Sequence, residues 1–215
     1  MNKLKMLIVV TLLLCTFGCE NNSFQDSARD YYGFQDIEYS WAYDVTDYTK
    51  VINNAQRILK VKIVEINDGT FKYATNNNSR PLTPIKVEVL DVLYGEEEDK
   101  DIKEIYQIGG DVTIEQMKNY YPIEKIKKMG LDKVSDSDSK TKYISYRSES
   151  LANLEVNQVY VVNLVNGSFD EALVISPDGY GVFKLNESTT LSLNSNETYT
   201  NVITNKIINV NDFKK

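Results

Sequence analysis

Residues 57–67, RILKVKIVEIN, and residues 84–94, PIKVEVLDVLY, decide the fold. In the first, Leu59, Val61 and Ile63 alternate with Lys60 and Lys62. In the second, Ile85, Val87 and Val89 alternate with Lys86 and Glu88. A period of two, apolar on one side, marks a strand with one face on a core. Between the two stretches, Asn67-Asp68-Gly69-Thr70 reads as a hairpin turn in which Gly69 is free to take a positive φ. Residues 71–75 then read as the return strand and residues 76–79 as a loop.

Further strands follow outward. Residues 102–108 form one, closed by Gly109-Gly110. Residues 158–165, QVYVVNLV, are apolar enough to be buried on both faces. Residues 172–175 and 180–185 flank Pro177-Asp178-Gly179, which reads as a second hairpin. Residues 202–210 dock as a last strand or helix. Asp44 or Thr46 is placed to cap a short helix to about Ala55, with Tyr48, Val51, Ile52 and Ala55 at helical spacing. Residues 114–129 read as helix in two pieces, broken at Pro122 and ended by Gly130. Residues 132–142, rich in Ser, Asp and Lys, read as a flexible loop. Residues 31–43 carry Tyr31, Tyr32, Phe34, Tyr39, Trp41 and Tyr43. They read either as an aromatic ligand platform or as a segment burying its rings against the body. Burial is the expected arrangement, because no polar group in the segment is arranged to fix a ligand.

The order of features in residues 51–165 resembles a known family. Ala55 precedes LKVKIVEI, IKVEVLDVLYG ends in Gly95, a further strand leads to Gly109-Gly110, and Leu154-Glu155-Val156-Asn157 precedes Tyr160-Val161-Val162. This is similar to the netrin-like domains of tissue inhibitors of metalloproteinases and their bacterial lipoprotein relatives. Asn157 stands where those domains have Gly, and Asn also tolerates left-handed backbone. The resemblance implies a mainly β fold with α additions, an OB-like (netrin-like) five-stranded barrel with flanking helices. It transfers no functional residue. The animal inhibitors act through an N-terminal cysteine beside the barrel, and here the corresponding cysteine, Cys19, stands some thirty residues before it.

Composition bounds the function. The chain has 215 residues, 42% hydrophobic and 26% charged. That is ordinary for a packed core and excludes pure disorder, collagen-like sequence and a multispan membrane protein. With 24 Lys+Arg against 31 Asp+Glu, the net charge of −7 argues against nucleic acid as a partner. There is no histidine, so Ser-His-Asp and Cys-His catalysis, His-ligated metals and His pH switches are excluded.

The first twenty residues, MNKLKMLIVVTLLLCTFGCE, locate the protein. Lys3 and Lys5 precede an apolar run from Met6 to Cys15 that is short for a bilayer span. Gly18 then precedes Cys19, and Glu20-Asn21-Asn22-Ser23 follows as a polar tether. This resembles a bacterial lipoprotein signal, which implies cleavage before Cys19 and a lipid on its thiol. Loss of Lys3 and Lys5 leaves 22 bases against 31 acids, a net charge of −9. Such a body is repelled by anionic lipid, so the anchor is the acyl chain. Cys15 leaves with the signal and Cys19 carries lipid, so the exported domain has no disulfide. The division expected is a signal peptide over 1–18, a tether and aromatic segment over 19–43, and a single barrel domain over 44–215 with a helical insertion near 114–130. The expected location is the extracytoplasmic face of the cell membrane, held by the lipid. Heavy use of Asn, Lys and Ile points to a Gram-positive host.

No catalytic, cofactor-binding or metal-binding residue stands out. Asp132, Asp136 and Asp138 lack the Gly and the bidentate Glu of a calcium loop. Glu96, Glu97, Glu98 and Asp99 read as a solvated loop, and Lys118, Lys125, Lys127 and Lys128 as a solvated helix face. The expected role is a non-enzymatic lipoprotein binding another macromolecule, such as a protein, at the envelope. The alternatives are a carboxylate-dependent envelope hydrolase and a structural envelope or spore protein.

Overall fold

The computed structural model of the chain describes residues 29–74, 80–166, 172–186 and 197–214. The two deciding stretches are strands β2 (Arg57–Ile66) and β3 (Leu82–Tyr94), paired antiparallel. Val61 faces Val89 and Ile63 faces Val87, while Lys62 faces Glu88. Strand β7 (Val159–Asn166) pairs with the other edge of β2, setting Tyr160 against Val61 and Val162 against Leu59. Asn157 turns the chain into β7 with φ of 69°.

Strand β4 (Glu104–Ile108) pairs antiparallel with β3. Strand β8 (Leu173–Ile175) pairs in parallel with β4 and antiparallel with β7. The ring β2-β3-β4-β8-β7 closes on itself as a five-stranded OB-like barrel. Its inward rows, among them Leu59, Val61, Ile63, Val87, Tyr160 and Val162, are at most 3% exposed, and Val89 packs half-buried against them.

Strand β9 (Val182–Leu185) lies along the same edge of β7 as β8, at Tyr160 to Val162, and β10 (Thr198–Asn201) and β11 (Ile207–Asn209) extend the sheet. The expected hairpin around Pro177-Asp178-Gly179 is therefore not one. β8 and β9 pair with β7 rather than with each other, and residues 176–181 loop out between them opposite Asn163. Helix α1 (Tyr48–Asn54), capped by Asp47, covers Ile58, Val161 and Phe183 together with Tyr199 and Phe213.

A second sheet interrupts the barrel between β4 and β7. At Gly109 and Gly110 the chain leaves the barrel with φ of 99° and 109°. It continues as β5 (Gly110–Thr113), α2 (Ile114–Tyr120), α3 (Ile123–Lys128), α4 (Asp136–Thr141) and β6 (Lys142–Arg147). Pro122 separates α2 from α3, and Gly130 follows with φ of 72°, as the sequence indicates. Residues 132–142 are not a flexible loop: Ser135 caps α4, and the chain runs directly into β6.

The N-terminal segment also departs from expectation. Residues 30–36 form strand β1 (Asp30–Asp36), which pairs in parallel with β6, giving the three-stranded sheet β1-β6-β5. One face of that sheet carries Ile37, Val112, Ile144 and Tyr146, packed under Ile114, Met117, Tyr121 and Ile126 of the helices. Phe71 joins this second core, and residues 71–74 form no return strand, with only Thr70 bridging to Leu82; Thr75 and the expected loop over 76–79 lie outside the described residues. Among the described residues no helix is long and apolar enough to cross a membrane.

Candidate functional site

The opposite face of the small sheet gathers aromatic, basic and acidic side chains. Side chains alternate across a strand, so with Ile144 and Tyr146 in the core, Tyr143, Ser145 and Arg147 point outward. Opposite them on β5 stand Thr113 and Asp111. A register shift between Tyr31 and Gly33 makes Tyr32 a bulge. Tyr31 and Phe34 thereby share the outer face and stack, with ring centroids 5.6 Å apart.

Two arginines order this face. Arg29 donates to Asp111 Oδ2 at 2.9 Å and Asp68 Oδ1 at 2.6 Å, and lies 4.9 Å from the Tyr143 ring centroid. Tyr31 donates to the same Asp111 oxygen at 2.7 Å. Burial, then the hydrogen bond to Asp111, pushes the Tyr31 hydroxyl up to about 12, so it stays a donor at any ordinary pH. Arg147 lies 4.4 Å from the Phe34 centroid and 5.3 Å from that of Tyr31, and its Nε donates to Ser145 Oγ at 2.8 Å. Among the described residues no carboxylate lies within 4.0 Å of its guanidinium. Phe34 is 56% exposed and Tyr32 48%. The expected burial of this aromatic segment therefore fails at Tyr32 and Phe34. The signal missed was the pairing capacity of residues 142–147, KYISYR, which supplies the partner strand.

A buried acid cluster also escaped the sequence reading. Asp178, 3% exposed, sits in the loop between β8 and β9 with φ of 47°. Ser148 and Ser150 both donate to its Oδ2 at 2.9 Å, while Oδ1 has no hydrogen-bond partner among the described residues. Burial pushes its carboxyl up to about 6, against the lowering effect of the two serine hydroxyls. Burial likewise raises Tyr39, with the Asp178 charge adding to it, and the Tyr39 hydroxyl is buried without a partner among the described residues. The cluster joins three separate segments, and its inaccessibility makes it a structural junction.

The acidic run is not wholly solvated. Glu97–Asp101 is a 3-10 helix, and Asp99, 6% exposed, accepts from Arg57 Nε at 2.7 Å and from the Glu96 backbone N–H at 2.9 Å. A polar cleft of about 250 Å³ lies beside this pair, lined by Gln56, Glu96 and Asn166 among others. Asp132 falls in a separate 3-10 turn, while Asp136 and Asp138 occupy the first turn of α4. Lys118 reaches the Val134 carbonyl and Ser139 Oγ, both at 2.8 Å. Lys125 lies 3.6 Å from the Tyr121 ring centroid, and Lys127 and Lys128 are exposed. Cys19, the expected lipidation site, and the signal peptide over 1–18 lie outside the described residues.

A scan against protein-family models matches none, and a search of curated proteins finds no match to this chain.

Proposed function

We propose that this chain is a lipid-anchored extracytoplasmic lipoprotein that binds another macromolecule through the outer face of its small sheet and catalyses no reaction. In this reading Cys19 carries the lipid and the barrel is a scaffold of the netrin-like kind. The observation that carries the binding role is the exposed group Tyr32, Phe34 and Arg147, with half-buried Tyr31 stacked behind Phe34. Aromatic residues and Arg are the types enriched where proteins meet, because they offer large contact area and a planar donor. Arg29 pairs with Asp68 and Asp111. Arg29 follows Cys19 by ten positions, a span of at most ~35 Å. The face would therefore work close to the membrane surface.

Asp178, the acid that burial raises, is 3% exposed and so closed to a substrate. The test is cross-linking in intact cells of the full chain and of its Arg147→Ala variant, with Cys19→Ser as the anchor control. A specific adduct that needs both Cys19 and Arg147 supports the reading. Reproducible turnover of peptidoglycan, peptides, phosphoesters or glycosides, abolished by one Asp or Glu substitution, overturns it.

A further inference from the structure

The binding reading names a face; the backbone beside it names a mode and a partner. Strand β1 pairs with β6 on one side, and its other edge has no strand partner among the described residues. The Ile37 N–H donates inward to the Arg147 carbonyl at 2.6 Å. Backbone groups alternate along a strand, so those of Phe34 and Asp36 point out along the open edge. The bulge at Tyr32 confines the regular edge to the run from Gly33 to Asp36.

From this placement we infer that β1 accepts an extended strand of a partner protein by antiparallel β-augmentation, and that the partner strand reads basic-any-aromatic along its chain. This rests on the binding reading. Unpaired edges are ready templates for added strands, with main-chain bonds giving affinity and alternate side chains giving selectivity. Phe34 and Asp36 each exchange a pair of hydrogen bonds with the added strand. The residue opposite Phe34 lies on an exposed ring already backed by Tyr31 and Arg147, and an aromatic or apolar side chain fits there. The residue opposite Asp36, two positions earlier in the partner, meets a carboxylate and is Lys or Arg.

Charge selects against a second copy of this chain. Residues 30–38 hold Asp30, Asp36 and Glu38 and no base. Edge-to-edge pairing of two copies would set six carboxylates along one seam, whereas a basic strand neutralises them.

The test uses the full chain in detergent and a disulfide-closed hairpin peptide whose free strand reads Thr-Lys-Thr-Phe-Thr, with affinity read by fluorescence anisotropy. Replacing Lys by Glu in the peptide, or N-methylating its Lys and Phe backbone nitrogens, is expected to weaken binding at least tenfold. Phe34→Ala is expected to weaken it similarly with an unchanged melting temperature, and Asp36→Lys to reverse the preference toward the Glu peptide. Equal binding of the Lys and Glu peptides, retained binding of the N-methylated one, or no binding at all overturns the inference. A concentration-dependent dimer lost on Phe34→Ala overturns it in favour of self-pairing. If the cellular adduct still depends on Arg147 while the hairpin fails, the binding reading stands and only the augmentation falls. If no adduct depends on Cys19 or Arg147, the binding reading itself falls.

Discussion

Asp178 couples the fold to pH through one carboxyl. Its pKa rises from 3.8 to about 6 on folding, because burial disfavours the charge more than Ser150 and Ser148 favour it. A group that holds its proton more tightly when folded stabilises the fold in acid. That contribution is complete below pH ~4, is lost as pH rises from ~4 to ~6, and is absent above. Two units correspond to about 3 kcal/mol. Asp178→Asn cannot ionise, so its unfolding free energy relative to the parent should rise by up to about 3 kcal/mol between pH 4 and 7.5. Urea denaturation at both pH values measures this, and a difference that does not change with pH shows that Asp178 does not titrate in that window. The sequence held the residue but not its setting. Pro177-Asp178-Gly179 looks like any turn, and only the folded chain brings Ser148 and Ser150 to the carboxylate.

At the scale of elements, alternation was legible wherever one face of a strand met one core. β2 and β3 follow directly from their period of two and β7 from its continuous apolar run, and Val87 is the sharpest test. It is 3% exposed and opposite Ile63, so Val87→Asp places a charge among hydrocarbon and should cost more than about 3 kcal/mol. An unchanged urea midpoint would remove Val87 from the core. Elements made by distant pairing were not legible. Neither β1 nor β6 has a clean apolar period, because one face of each is aromatic and polar rather than solvent-facing charge. Gly109-Gly110 reads as a strand end, yet it is where one strand passes from barrel to small sheet. A Cβ on Gly110 would collide with Thr83 Oγ1, and its φ of 109° disfavours any side chain. Gly110→Ala should therefore destabilise by about 2 kcal/mol or more, visible as a lowered melting temperature. Gly130→Ala, where no atom lies within 4 Å of the added Cβ but φ is 72°, should cost only about 1 kcal/mol.

At the scale of the whole molecule, charge and reach argue for a covalent anchor. The mature body would carry −9, from 22 bases and 31 acids, and an anionic leaflet repels such a body. Lys127 and Lys128 are exposed on α3, but a short basic helix gives about 1 kcal/mol per charge near the surface at best, against nine net negative charges on the body. On the proposed reading attachment falls to Cys19, which alone follows both an apolar run and a small residue and precedes a polar tether. The proposed binding face was only half legible for a related reason. The sequence shows the aromatic residues between 31 and 43, but the sheet face that two of them share is completed by Arg29 and Arg147, which lie 118 positions apart and order its opposite ends. Metabolic labelling with palmitate should mark the parent chain and not Cys19→Ser, and the variant should appear as uncleaved precursor or leave the membrane fraction. High salt should release neither form differently, since on the proposed reading lipid rather than charge holds the parent in place. Undiminished labelling of Cys19→Ser would remove the anchor, and salt-dependent release of the parent would hand the attachment to the lysines of α3.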